Sequence, residues 1–465
     1  MEKIVAPRII ISGLTQEVGK SLFTIGLLTE LRRRGVSVAC CVIGSNFKQA
    51  ALLRGLSERY VHTLDPRIQS SGQILESLHL ASLGAEIVLI EGEDTVVQSG
   101  TNGEGYSEAA DTYVARVTHS PILPVIDWRI QPEINARALA ELARLINDVK
   151  FLPAVANRLP ESQADVITAM KVLNEAFAKY NQPPVLGTIP ELSHTESLPA
   201  YGASQSRRSE PLTRTYLMEL GLILARCVDI DEILRLSKKS PTILLEDYTF
   251  SPLQRRCRIA VSLDNAFGLC YQDNLTFLKN AGAEIVRFSP LADTHLPKEI
   301  GGLYLTGGFL DEYGPDLARN DSIIKSIQKF HDDGGAIYSE GAGTAYLSRE
   351  FLAQKRKFAG VGIYKMGCSV GNQKVWNFHS DLLEDSIMGE KGLEVSGLQN
   401  GDWQFYNAES VMKCLRVNLP EGGTVLDGYS PSAQVFGTFA FLHWGTNSLI
   451  ARNFVESSSV IKFQP

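Results

Sequence analysis

Short apolar runs alternate with amphipathic helical segments through the first half of this chain. Ile9–Ser12, Val36–Ile43, Glu86–Ile90, Ile122–Ile126 and Phe151–Ala156 are strand-length, and helical patterns such as Lys20–Arg34 and Ile134–Asn147 lie between them. That alternation predicts a parallel sheet with helices on both faces. Pro190 closes a further short strand in VLGTIPEL. A second α/β series follows, with Arg258–Leu263, Ala283–Phe288, Gly302–Gly308 and Ala336–Glu340 as strands, and Thr424–Val460 shows strand-like alternation rich in aromatics. Between the two series, Ser237–Arg258 carries two Pro residues and no periodicity, as an inter-domain linker would. The expected division is residues 1–236, a linker at 237–257, and a second domain at 258–465.

The 465 residues exceed one ordinary core, and about two to four domains are expected. Apolar residues at 44% and charged ones at 21% describe a packed globular chain. A net charge of -7 argues against a nucleic-acid or anionic-membrane surface, so neither partner is expected. The one dense basic run, Arg32–Arg34, ends a helical pattern where cations suit the helix dipole, and reads as a solvated helix end. Seven scattered cysteines without C-x-x-C spacing read as reduced thiols. No run is long enough to span a bilayer, and a cytoplasmic protein is expected.

The stretch IISGLTQEVGKS, Ile10–Ser21, joins the first strand to the first helix. Backbone N–H groups at a helix N-terminus bind phosphate oxygens; Lys20 adds a point charge, and the Ser21 hydroxyl suits Mg²⁺. Counted from Gly13, the spacing is one residue longer than G-x-x-x-x-G-K-[ST]. Gly13, Thr15, Glu17, Val18, Gly19, Lys20 and Ser21 are thus the candidate ATP-binding set. Glu91 ends a later strand at the edge where such sheets hold ligands, and with Ser21 forms the candidate Mg²⁺ pair. Asn157, ending FLPAVAN, is placed to read adenine through its amide, with a plain turn residue as the alternative.

Across nearly its whole length the chain resembles the cobyrinic acid a,c-diamide synthase family. The resemblance is carried by GLTQEVGKS, by AFGLCYQDNLTFLKNAGAEIVRFSPLADTHLP, by GGLYLTGGFLDEYGPDLARN and by GYSPSAQVFGTFAFLHW. It implies a P-loop, dethiobiotin-synthetase-like domain followed by a class I glutamine-amidotransferase-like α/β domain. The first would transfer phosphate from Mg·ATP to a substrate carboxylate, with Lys20 and Glu91 in catalytic roles; the second would release ammonia from glutamine. Gly307 and Gly308 would shape an oxyanion-binding turn. The implied substrate is a small-molecule polycarboxylate of tetrapyrrole type, the implied pathway is cobalamin biosynthesis, and a homodimer is expected.

The sequence departs from the family pattern at both sites. The family elbow reads Glu-Cys-Gly-Gly; here it is Glu340, Gly341, Ala342 and Gly343, and glycine has no atom to attack with. The family base is a His, and its position holds Phe441, which cannot transfer a proton. His443 lies two residues on, about 7 Å further along a strand. In the first domain, GSNFKQA, Gly44–Ala50, puts Asn46 and Gln49 where the family has acidic residues. The glutaminase is therefore expected to be silent. Ammonia would come from solution or from a partner protein, and the alternative is a non-catalytic nucleotide- or tetrapyrrole-binding homologue or partner subunit.

Overall fold

A computed structural model describes residues 2–99, 106–160, 166–192, 214–245, 253–371, 375–401, 403–406, 411–419 and 422–459. They fall into two compact units, one reaching residue 245 and the other starting at 253.

The first unit is built on a seven-stranded parallel sheet. In spatial order the strands are Gly187–Pro190, Val155–Leu159, Ile122–Asp127, Arg8–Gly13, Ile87–Thr95, Val38–Ile43 and His62–Leu64. Arg8–Gly13, Val38–Ile43 and Ile122–Asp127 are buried at every residue, as strands covered on both faces must be. Apolar clusters lie on either face of this sheet: Phe23, Leu27 and Leu31 of the helix Lys20–Arg33 pack in one, and Ile74, Leu78 and Val114 in another. The C-terminal strand ends bring together the loops after Gly13, Ile43, Asp127 and Leu159 beside Glu91, which lies within the strand Ile87–Thr95 rather than ending one.

Several expectations are adjusted. The fifth strand is Val155–Leu159 rather than Phe151–Ala156; Phe151 makes only an isolated bridge to Ile122, and Pro153, which has no N–H, stands between. The helix end at Arg32–Arg34 is not merely solvated: Arg33 and Arg34 both bond Glu30, whose carboxylate is buried, and the Arg33 bond leads in holding Glu30 below its ordinary pKa. The linker expected at 237–257 contains a strand: Ile243–Leu245 pairs antiparallel with Glu2–Ile4. Arg8 fixes this return, donating to the Pro241 carbonyl at 2.6 Å while its backbone N–H donates to Ser240. Residues 246–252 of that linker lie outside the described residues.

The second unit holds another seven-stranded sheet. Ala283–Phe288, Cys257–Ser262, Gly302–Leu305, Ala336–Glu340 and Val435–Thr438 run parallel; Thr424–Ser432 and Met412–Asn418 extend it antiparallel. Gly307–Gly308 is separate from the main sheet and pairs with Phe267–Leu269. Short strands between Ser348 and Tyr406, which no sequence pattern announced, form two further small sheets: one is mixed, with Ser348–Ala353 parallel to Tyr364–Val370, and the other is antiparallel and closed by Ala440–Leu442. Of the stretch read as strand-like from Thr424 to Val460, strands occur as far as Leu442 but are buried in blocks rather than alternately, and the described part of the chain ends in the helix Leu449–Ser459.

All seven cysteines remain thiols. Among the described residues no helix is long and apolar enough to cross a membrane.

Candidate functional site

The loop between Gly13 and the helix Lys20–Arg33 borders a cavity of about 580 Å³ at the C-terminal edge of the first sheet. Glu17, Val18, Gly19, Lys20 and Ser21 line it, with Glu91 and Asn157. Gly13 and Thr15, also expected there, do not: Gly13 completes its strand, and its carbonyl accepts from Val96 N. Gly19 has φ +93° and hands over directly to the helix, where Phe23 N donates to its carbonyl. The left-handed backbone there suits glycine, and a Cβ would stand 2.1 Å from Asn157 Nδ2.

Ser21 Oγ donates to Glu91 Oε1 at 2.6 Å, which unites the two expected metal ligands. Burial pushes the Glu91 carboxyl above its usual range, opposed by hydrogen bonds from Ser21, Gln49 and Thr24 and by the charge of Lys20. A hydroxyl beside a carboxylate is an oxygen-only donor set that fits a Mg²⁺ carried in with phosphates. No group of three or more His, Cys, Asp or Glu suited to a metal occurs among the described residues, so phosphate oxygens and water would supply the remaining ligands.

The two amides have definite employment. Gln49 Nε2 donates to Glu91 Oε2 at 2.7 Å, and Asn46 caps the helix Phe47–Ser57 by accepting from Gln49 N at 3.1 Å. An acid at position 49 would face Glu91 as a second negative charge; the amide faces it as a donor.

Asn157 turns its amide to the loop, Nδ2 donating to the Val18 carbonyl at 2.9 Å. Arg158 escaped the sequence reading. Its guanidinium donates to the Glu17 carbonyl and to Asp127 Oδ2, the latter at 2.8 Å. Burial works against ionised Asp127, but hydrogen bonds from Arg129 and Arg158 hold it below the usual carboxylate range. Glu191 and Leu192, just past the strand Gly187–Pro190, also line the cavity; their signal was the position after a strand of this sheet.

In the second unit Gly341 occupies the sharp turn between the strand Ala336–Glu340 and the short helix Ala342–Tyr346, with φ 52° and ψ -122°. The Phe441 ring covers it. A Cβ on Gly341 would lie 2.9 Å from Phe441 Cζ, and one on Gly307 would lie 2.5 Å from Cε1 and Cζ of the same ring. The phenyl group therefore fills the gap between the apex and Gly307. Asp427 steadies the approach to Phe441 by accepting from Thr438 Oγ1, Phe439 N and Ala440 N. His443 stands in the core, edge-on to Tyr271 with centroids 4.8 Å apart, its Nε2 3.7 Å from Asp273 Oδ2. Beneath the turn, Glu340 accepts from Tyr304 at 2.5 Å and Tyr338 at 2.9 Å, and burial pushes its pKa up to about 8 against those bonds.

Residues 258–448 match the family described as a CobB/CobQ-like glutamine amidotransferase domain. Along 97% of its length the chain is 26% identical to a cobyrinate a,c-diamide synthase of Leptospira interrogans and 27% identical to one of Dehalococcoides mccartyi, covering 98% of each. The chain is thus similar over nearly its whole length to cobyrinate a,c-diamide synthases, and its second unit carries a CobB/CobQ-like glutamine amidotransferase domain. Among solved structures, PurLQS from Thermotoga maritima overlaps 44% of the chain (98% of its own) at 20% identity and a TM-score of 0.33. The MinD cell division protein of Aquifex aeolicus overlaps 52% (100% of its own) at 16% identity and a TM-score of 0.31. Asn46, Gln49, Gly341 and Phe441, read from the sequence as departures from the motifs of the resembled family, are the residues that make the contacts set out above.

Proposed function

We propose that this chain is an ATP-dependent amide ligase that acts on carboxylates of a tetrapyrrole-type acid in cobalamin biosynthesis. Its glutaminase-like unit is catalytically silent. The observation that carries the reading is the meeting of Lys20, Ser21 and Glu91 around one cavity at the end of a phosphate loop, in a chain similar end to end to cobyrinate a,c-diamide synthases.

The loop N–H groups and the Lys20 ammonium would hold the phosphates, and Ser21 with Glu91 would hold Mg²⁺, which neutralises phosphate charge when bound. A substrate carboxylate takes the γ-phosphoryl group, giving an acyl phosphate and ADP. Ammonia then displaces phosphate at the activated carbonyl and loses a proton. Nothing at Gly341 forms a thioester, so the ammonia comes from solution or from a partner protein.

The test is ATP turnover with ammonium and a corrinoid or sirohydrochlorin-type acid, with hydroxylamine added in parallel to trap an acyl phosphate as hydroxamate. ADP formation that needs both the acid and the nitrogen donor is expected, with glutamate release from glutamine at background. Tight nucleotide binding without turnover on any such acid would instead favour a non-catalytic nucleotide- or tetrapyrrole-binding partner subunit. The amides at Asn46 and Gln49, which leave Glu91 the one acid among these three positions, speak for that second reading.

A further inference from the structure

Two successive residues at the end of the strand Val155–Leu159 take hold of two successive carbonyls of the phosphate loop. Asn157 Nδ2 donates to Val18 O at 2.9 Å, and the Arg158 guanidinium donates to Glu17 O. Arg158 is anchored in turn by Asp127 at 2.8 Å. In a trans peptide the carbonyl and the following N–H point in opposite directions, and the described chain has no cis bond. Oxygens of Glu17 and Val18 held toward that strand therefore turn the N–H groups of Val18 and Gly19 to the opposite side of the loop.

The backbone is bent to make this grip. Arg158 has φ 66° and Glu17 φ 53°, left-handed values that side chains adopt only where surrounding contacts enforce them. Asn157 is almost wholly buried and lies so close to Gly19 that no other residue fits at that loop position.

We propose that Asn157 and Arg158 are positioning residues: they clamp the loop carbonyls outward and keep the Val18 and Gly19 N–H groups set for phosphate. This rests on the reading of Gly13–Ser21 as a phosphate loop.

The full chain is titrated calorimetrically with ATP and with inorganic tripolyphosphate, each with Mg²⁺. A residue that reads adenine affects only the first ligand; a residue that sets the loop affects both. Asn157→Ala is expected to weaken both ligands, by about tenfold for the lost ordering of the loop, with the melting temperature of the unliganded protein lowered by only a few degrees. Arg158→Leu is expected to fall similarly. Arg158→Gln, which keeps a donor for Glu17 O without the charge, is expected to stay within about threefold of the wild type, which separates positioning from direct charge. Loss of ATP affinity alone, with tripolyphosphate unaffected, would overturn the proposal and make Asn157 a base reader. Equal weakening by Arg158→Gln and Arg158→Leu would overturn the role given to Arg158. A wild-type protein that binds neither ligand removes the phosphate-loop reading itself, and this inference with it.

Discussion

Gly341→Ala places one methyl group at the most crowded turn of the second unit. Two costs follow. The turn has φ 52° and ψ -122°, a conformation that penalises an L-residue by roughly 1–3 kcal/mol. The new Cβ would also lie 2.9 Å from Phe441 Cζ. That ring cannot simply swing aside, because it is 1% exposed and rests against Gly307 on its other side. Overpacking of this kind costs roughly 1–3 kcal/mol more. Phe441→Ala alone should cost roughly 3–5 kcal/mol through the cavity it opens. In the double variant the steric part vanishes while the backbone part remains, so the two losses should fall short of additivity by roughly 1–3 kcal/mol. Urea unfolding followed by tryptophan emission reads the second unit preferentially, since Trp376, Trp403 and Trp444 lie there and only Trp128 lies in the first. Additivity within about 0.5 kcal/mol would show that the ring does not press on the turn, and the account of a filled elbow would fail.

Lys20→Ala should weaken ATP binding by roughly 10- to 100-fold, the range of a lost charge-assisted contact; unchanged affinity in a calorimetric titration would remove Lys20 from the phosphate site. Glu91→Gln should shrink the difference between nucleotide affinity measured with Mg²⁺ and with a chelator, and a ratio equal to the wild type's would deny Glu91 a metal role. Glu340 keeps its proton up to about 8 when folded, whereas the unfolded chain releases it in the ordinary carboxylate range. The folded state therefore binds more protons between those limits, and stability falls as pH rises through that window, by on the order of a few kcal/mol. Glu340→Gln should flatten that decline and surpass the wild type at pH 9 in urea midpoint; parallel pH profiles would contradict the buried, protonated carboxyl. Gly341→Cys with Phe441→His should gain measurable glutamate release while Gly341→Cys alone does not, because the ring still covers the thiol; equal release from both would refute the covering role of Phe441.

What the sequence disclosed follows from how local each signal is. The central strands Val38–Ile43 and Ile122–Asp127 are apolar at nearly every residue, and Gly-Lys-Ser at a strand-to-helix junction is readable within a dozen residues. The contacts that employ those residues are not local. Asn157 meets Val18 across 139 positions of the chain, and Arg158 meets Glu17 across 141; only the parallel order of the sheet makes them neighbours. Phe441 reaches Gly341 because Val435–Thr438 lies beside Ala336–Glu340, with Glu340 in register with Thr438. The strands between Ser348 and Tyr406 stayed hidden for another reason. They are short and unevenly buried: Arg356–Ala359 has no buried residue, and Val375–Asp381 has only Phe378 buried, so neither uniform apolarity nor clean alternation marks them.

The departures from the family motifs also come in mutually fitting pairs. A nucleophile lost from a packed turn leaves a void, and voids are costly in proportion to their volume; here Phe441 occupies that space, and glycine at 341 is what lets the ring approach. A carboxylate lost beside Glu91 would leave a buried acid short of partners; here Gln49 supplies a hydrogen-bond donor at 2.7 Å, and Asn46 sets the start of the helix that carries Gln49. Unguided erosion of an enzyme would produce holes and orphaned charges in no particular relation to one another. At the second site the Phe441 ring lies against Gly341 and Gly307 and leaves no room there for a side chain. At the first they retune the acid while Lys20, Ser21 and Glu91 still meet around an open cavity. That asymmetry, one site filled and the other still open, is the physical reason to look for nucleotide chemistry in the first unit and none at Gly341.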